Sequence, residues 1–460
     1  MATLEDVLAT IDANQGEALD RLFALLAIPS VSAVPAHFAD CARAADWLTR
    51  ELAELGFEAA RQDTAGRPVV VGAAKAKTRD APSVLFYGHY DVQPADPLAL
   101  WTTPPFEPRL ADGPRGQRIV ARGACDDKGQ LMTFLEACRA FRAHGGLPCN
   151  VTVLLEGEEE TGSVSLPAFL AANAKALKAD LALVCDTEMW DAQTPAITTM
   201  LRGLAFEQVT IHAANRDLHS GLYGGAAINP IRVLSRVLAD LHDANGAVAL
   251  PGFYDGVEEL PEEVAEQWRA LDFDEEKFLG EVGLSVPAGE KGRTTLEMIW
   301  SRPTCDVNGI YGGYAGEGAK TVLPAQATAK VSFRLVGKQN PERIAQSFRA
   351  FVKARLPADV TAEFVSYSAN PAIALSTRSE AVRRAGRALE AEWGRPAMLI
   401  GSGGSIPVVG AFKRELGIDS LLVGFGLADD AVHSPNEKYE RSSFHRGARS
   451  WARILAALAT

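Results

Sequence analysis

The stretch Val84-Leu85-Phe86-Tyr87-Gly88-His89-Tyr90-Asp91 is a short apolar run that stops at a histidine and an aspartate. Such a run reads as a buried strand, and a histidine at its carboxyl end stands where open α/β sheets place their ligands. Two further runs repeat the arrangement: Val151 to Leu155 leads into Glu158-Glu159-Glu160, and Leu181 to Cys185 leads into Asp186. Helical spacing surrounds these strands. Leu4, Val7, Leu8 and Ile11, then Leu19, Leu22, Phe23 and Leu26, predict helix through the first thirty residues, a second helix runs over 39–55 with Gly56 as its stop, and a third over 128–142. Strands alternating with helices predict an α/β fold with a central mixed sheet.

The texture changes near residues 199–206. Leu204, Phe206 and Ile211 belong to an alternating strand, a helix follows from Pro230 to His242, and a second alternating strand, Ala327 to Val336, precedes an amphipathic helix from Pro341 to Arg355 and a strand near Val360 to Tyr367. These predict a separate α+β unit with an antiparallel sheet, elaborated by the Gly-, Pro- and Glu-rich region 243–308. After about Ser376 the first pattern resumes and ends in a helix from Phe444 to Leu458. Because the candidate ligand His433 lies in this last stretch, residues 1–200 and 376–460 are expected to form one domain, interrupted by an inserted domain over 201–375.

Composition narrows the function classes. With 460 residues, 47% hydrophobic and 23% charged, the chain reads as a soluble globular protein of more than one domain. A net charge of −12 argues against a nucleic-acid partner, which needs clustered Lys and Arg. The first residues carry Glu5 and Asp6 rather than a basic start and apolar core, and the early apolar stretch Phe23 to Ile28 is far shorter than the ~20 residues of a span, so no membrane association and a cytoplasmic location are expected. The six cysteines show no paired short spacing, and Cys125 and Cys185 are expected to pack as small apolar groups.

The acidic residues carry the chemistry. Packed carboxylates repel, and each buried one costs several kcal/mol, roughly, unless it protonates or pairs, so the gathering of Asp126-Asp127, Glu158 to Glu160 and Asp186 with His89 and His433 reads as a two-metal centre. Histidine alone after a strand is more often packed than ligating; Asp91, two residues on, changes the reading, because an aspartate that accepts a hydrogen bond from a ligand imidazole fixes its tautomer. Asp126 alone could cap the helix that begins near Lys128, but a carboxylate offering one oxygen to each of two metals explains the Asp126-Asp127 pair better. Neighbouring strand residues face opposite ways, so Glu159 and Glu160 reach one centre only if the strand has already ended.

Several ordered motifs together resemble the M20 family of zinc-dependent aminoacyl hydrolases, most of all its cytosolic nonspecific dipeptidase and carnosinase branch. They are Gly88-His89-Tyr90-Asp91-Val92-Gln93-Pro94, Arg122 through Gly129, Leu155 through Gly162, Asp217-Leu218-His219-Ser220-Gly221, Gly403-Gly404-Ser405-Ile406-Pro407, and Ala431 through Glu437. The resemblance implies that His89 and Asp186 hold one metal, Glu160 and His433 the other, and that Asp126 bridges them. Three ligand carboxylates with a shared hydroxide balance two divalent cations, Zn²⁺ first, Mn²⁺ or Co²⁺ as alternatives. It further implies Glu159 as general base, a cis peptide between Asp126 and Asp127, and an inserted domain that serves as lid and dimerisation domain. His219 would reach from the partner of a homodimer to stabilise the oxyanion, Arg334 would grip the substrate carboxylate, and Thr321 and Ser405 would assist it.

Two departures set this chain apart. The dipeptidases usually carry Arg-Glu before Gly-Gly-Ser where this chain has Gly401-Ser402, and they place a histidine where it has Tyr367. The expected reaction is therefore hydrolysis of dipeptides or short peptides, with an amidohydrolase for N-acyl or modified amino acids as the alternative. A noncatalytic binding protein would lack ligands or base, and none is lacking. A serine hydrolase is disfavoured by the missing Gly-x-Ser-x-Gly elbow, and a phosphate loop by Lys128 preceding Gly129.

Overall fold

The computed structural model describes residues 3–280, 282–404 and 406–460. The chain divides into two compact units, one built from the described residues up to Thr199 with Leu375–Ile400 and Pro407–Thr460, the other from Met200–Ala374 with the segment 401–406. That last segment falls inside the stretch assigned from sequence to the first unit.

The first unit is organised by a mixed sheet whose strands run in the order Glu58–Gln62, Val69–Ala74, Asn150–Glu156, Ser83–His89, Leu181–Val184, Ser420–Leu422 and Ala196–Leu201. Its middle is parallel: Ser83–His89 pairs with both Asn150–Glu156 and Leu181–Val184, which in turn pairs with Ser420–Leu422. The outer strands are antiparallel. Parallel strands are buried on both faces, which is why they read as continuous apolar runs. Helix Lys128–Ala143 is buried along nearly its whole length. Its Phe134 stacks on Phe86 at 3.7 Å, and Trp451 of the final helix Arg441–Leu458 meets both rings edge-on. A small antiparallel sheet, Arg109–Gly113, Gly116–Val120 and Lys438–Glu440, was not anticipated from the sequence.

The second unit carries a four-stranded antiparallel sheet in the order Thr304–Gly312, Gln326–Leu335, Gly203–His212 and Thr361–Asn370. Burial alternates strictly along Gly203–His212, so one face is core. Helices Pro230–Ala239 and Pro341–Lys353 supply the core side chains Val233, Leu234, Ile344 and Phe348. Both helices start with the same device: Asn229 and Asn340 cap the backbone through their side chains, and proline follows at the first helical position. The region read as an elaboration contains the helices Glu262–Arg269, Glu275–Gly280 and Thr295–Trp300. No helix among the described residues is long and apolar enough to cross a membrane.

Candidate metal centre

The parallel strands deliver their carboxyl ends to one place. His89 is the last residue of Ser83–His89, strand Asn150–Glu156 ends before the short turn Glu159–Thr161, and Asp186 follows Leu181–Val184 by two residues. His433 lies in the loop after Ser420–Leu422 and holds a left-handed backbone, φ 61°. The peptide between Asp126 and Asp127 is cis. Gly88 is required by close approach, since a Cβ there would lie 2.8 Å from Asp127 Oδ2.

Asp126 joins two groups of side chains. Its Oδ1 lies 3.0 Å from His89 Nε2, which is itself 3.9 Å from Asp186 Oδ2; its Oδ2 lies 2.9 Å from His433 Nε2, which is 3.3 Å from Glu160 Oε2. Two bonds of ~2.0–2.1 Å at a tetrahedral angle separate their ligand atoms by about 3.3 Å, so both groups fit a cation of zinc size. All donors are imidazole or carboxylate, the set that suits Zn²⁺, Mn²⁺ or Co²⁺.

The electrostatics point the same way. Burial, reinforced by the charge of Asp126, pushes Asp186 up to about 7, and burial with the charges of Asp186 and Glu160 outweighs His89 to push Glu159 up to about 8. Hydrogen bonds donated to Asp126 and Glu160 raise His433 to about 10. Burial opposes the charge on both Asp126 and His89, yet their mutual hydrogen bond, with His433 on one side and Asp91 on the other, holds Asp126 low and His89 high. Buried and crowded in this way, the carboxylates are driven towards the neutral form, and divalent cations would relieve the same charge.

The supporting contacts differ in part from the sequence reading. His89 Nδ1 lies 3.0 Å from the Asp91 carbonyl oxygen and 3.5 Å from its carboxylate, so the carbonyl is the closer partner. The Asp91 carboxylate also accepts the N–H groups of Glu159 and Glu160 and the Ser32 hydroxyl, which fixes the turn that carries them. Gln93 donates to Glu160 Oε2 at 2.8 Å, and Asp127 accepts the His89 N–H at 3.0 Å. Cys185, expected to pack as an apolar group, is buried and also donates to Asp127. Glu437, which the sequence reading quoted without a role, is fully buried and accepts the N–H groups of Gly123, Cys125 and Asp126 while pairing with Arg122 at 2.8 Å.

The remaining predicted residues belong to the second unit. His219 is exposed, pairs in a short ladder with Val322, and accepts the Gly221 N–H on Nδ1; the adjacent Thr321 accepts the Ser220 N–H on its carbonyl. Arg334 lies in strand Gln326–Leu335 opposite Leu204. Ser405 lies outside the described residues. Of the two departures, Gly401 is enforced by Trp300, whose Cβ would lie 2.5 Å from an added Cβ, and Tyr367 is exposed and donates to Gln208 at 3.0 Å.

Comparison with known proteins follows these lines. The sequence profile of Peptidase family M20/M25/M40 matches residues 85–457. The chain is 30% identical to the Cys-Gly metallodipeptidase DUG1 of Candida albicans over 97% of this chain and 96% of that one. It is 30% identical to the human Beta-Ala-His dipeptidase over 100% and 93%. Among solved structures, the M20 family metallo-carboxypeptidase Sso-CP2 from Sulfolobus solfataricus superposes with a TM-score of 0.83 at 30% identity, covering 96% of this chain and 99% of that chain.

Proposed function

The chain belongs to Peptidase family M20/M25/M40 and is a peptidase of that family, and we propose that it cleaves dipeptides or short peptides beside a free carboxylate. The observation that carries this reading is Asp126, one carboxylate whose two oxygens face two separate imidazoles at 3.0 and 2.9 Å. His89 and Asp186 would hold one divalent cation, Glu160 and His433 a second, with Asp126 shared between them and zinc the first choice of metal. When bound, the pair supplies Lewis acidity, lowering the pKa of a water toward neutrality and polarising the scissile carbonyl.

The chain's own groups do the rest. Glu159, on the turn pinned by Asp91, takes a proton from the attacking water on its carboxylate and gives it to the amide nitrogen as the C–N bond breaks; positioned acid–base groups of this kind contribute ~10²–10⁴-fold. Asp91 holds both the tautomer of His89 and the backbone of Glu159. Arg334, assisted by Thr321 and Ser405, anchors the substrate carboxylate through its planar guanidinium. His219 stabilises the oxyanion from the partner of a homodimer, with the inserted unit as lid and dimerisation domain. Supporting the dimer, Val307, Ile310 and Tyr311 of strand Thr304–Gly312 and Val365 and Tyr367 of strand Thr361–Asn370 are exposed on the second unit. The six cysteines are free and buried, which suits a reducing cytoplasm.

Both named dipeptidase relatives and the carboxypeptidase neighbour act next to a chain terminus by name, which favours peptide over N-acyl substrates. A panel of dipeptides set against N-acetyl and N-succinyl amino acids tests this. Turnover of the dipeptides is expected; turnover of the acylated compounds alone would replace the reading with an amidohydrolase.

A further inference from the structure

Two arginines of the second unit lie at one end of its four-stranded sheet. Strands Gly203–His212 and Gln326–Leu335 pair antiparallel, with Arg334 opposite Leu204 and Leu335 opposite Gly203. Arg202 lies just before strand Gly203–His212, beside the end of the ladder that places Arg334 opposite Leu204. Arg334 alternates with Phe333 and so lies on the face turned away from the core that Ala205, Val209 and Phe333 join.

Neither guanidinium is neutralised. Among the described residues, Arg334 forms no ion pair or side-chain hydrogen bond. Arg202 donates only to carbonyls, Nε to Gly403 at 3.3 Å and Nη1 to Met298 at 3.4 Å. Its Nη2 lies 3.0 Å from the point a Cβ on Gly403 would occupy, so a side chain there would crowd that end of the fork. The carboxylate whose field reaches Arg202 is Asp306, an exposed residue opposite Ser332 that accepts the Thr304 hydroxyl and pairs with neither arginine. Burial, and then the charge of Arg334, lower Arg202 to about 10 against the weaker pull of Asp306.

One α-carboxylate leaves such a pair with an uncompensated positive charge; a second carboxylate on the same residue removes it. We propose that Arg202 and Arg334 form a two-guanidinium site that selects substrates whose C-terminal residue carries a second carboxylate, dipeptides ending in glutamate or aspartate. The proposal rests on the reading of Arg334 as anchor of the substrate carboxylate and adds Arg202 as the specificity-determining partner.

The test compares Ala-Glu with its neutral isostere Ala-Gln on the metal-loaded enzyme, wild type and Arg202→Gln. The wild type should favour Ala-Glu in kcat/KM by about 10-fold or more, the size of one charge-assisted hydrogen bond, through a lower KM. In Arg202→Gln the ratio should fall towards one, whatever loss both substrates share. Equal use of both by the wild type, or a ratio unchanged in the variant, overturns the proposal and leaves the peptidase reading standing. Calorimetric binding of free L-glutamate against L-glutamine reads the same site without turnover. Tighter glutamate binding that Arg202→Gln abolishes supports the pair even if no dipeptide is hydrolysed, and equal binding overturns it.

Discussion

The carboxylate of Glu437 accepts the backbone N–H of Asp126 at 3.0 Å, so the loop that carries His433 also sets the position of the carboxylate between His433 and His89. The same side chain takes the Gly123 and Cys125 N–H groups and the Arg122 guanidinium. Glutamine in its place keeps one acceptor oxygen and turns an NH₂ towards donors, stranding at least two of them beside a buried arginine. Glu437→Gln should therefore lose roughly 2–4 kcal/mol of stability, read from urea unfolding of the chelator-treated protein. An unfolding midpoint equal to wild type would remove Glu437 from this role.

Gln93 fixes one oxygen of Glu160 at 2.8 Å. Groups that orient a metal-binding side chain typically govern affinity by 10–100-fold. Gln93→Ala should weaken binding of the Zn²⁺ assigned to Glu160 and His433 by about 10-fold in competition with a chelator of known affinity, with the metal-free fold unchanged; unaltered affinity contradicts the assignment.

Glu159→Gln should lower turnover by ~10²–10⁴-fold while the purified protein keeps its metal content, because the amide can neither take the proton from water nor deliver it. Near-normal turnover would show that another group is the base.

His219→Ala should cut kcat strongly without changing the unfolding curve, since the side chain is exposed and its hydrogen bond with the Gly221 N–H is local. Mixing that variant with Glu159→Gln should recover part of the activity if each centre borrows His219 from a partner. No recovery under conditions that exchange subunits would place His219 in the centre of its own chain, or outside it.

Much of the fold was legible because the deciding segments are local. The runs ending at His89 and Glu156 are apolar, short and terminated by polar residues, and the registers of Ser83–His89 with Asn150–Glu156 and Leu181–Val184 put their ends side by side. The candidates His89, Glu160 and Asp186 stand out for the same reason, at or just past the end of a strand, whereas Asp126 and His433 rest on the resemblance. What was not legible is the bonding that reaches across the chain: Glu437 and Arg122 are separated by 315 positions, and no pattern near either announces the pair. The sequence shows the Asp91 carboxylate beside His89 but not the turn at Glu159 and Glu160 that folds over it. The small sheet containing Lys438–Glu440 escaped because a three-residue strand is too short to show a period.

The account stands on one carboxylate serving two cations. Anomalous diffraction from crystals soaked in Zn²⁺ tests this directly. Two peaks per chain are expected, one bonded to His89, Asp186 and Asp126 and the other to Glu160, His433 and Asp126; a single peak, or two peaks neither of which touches Asp126, would contradict it.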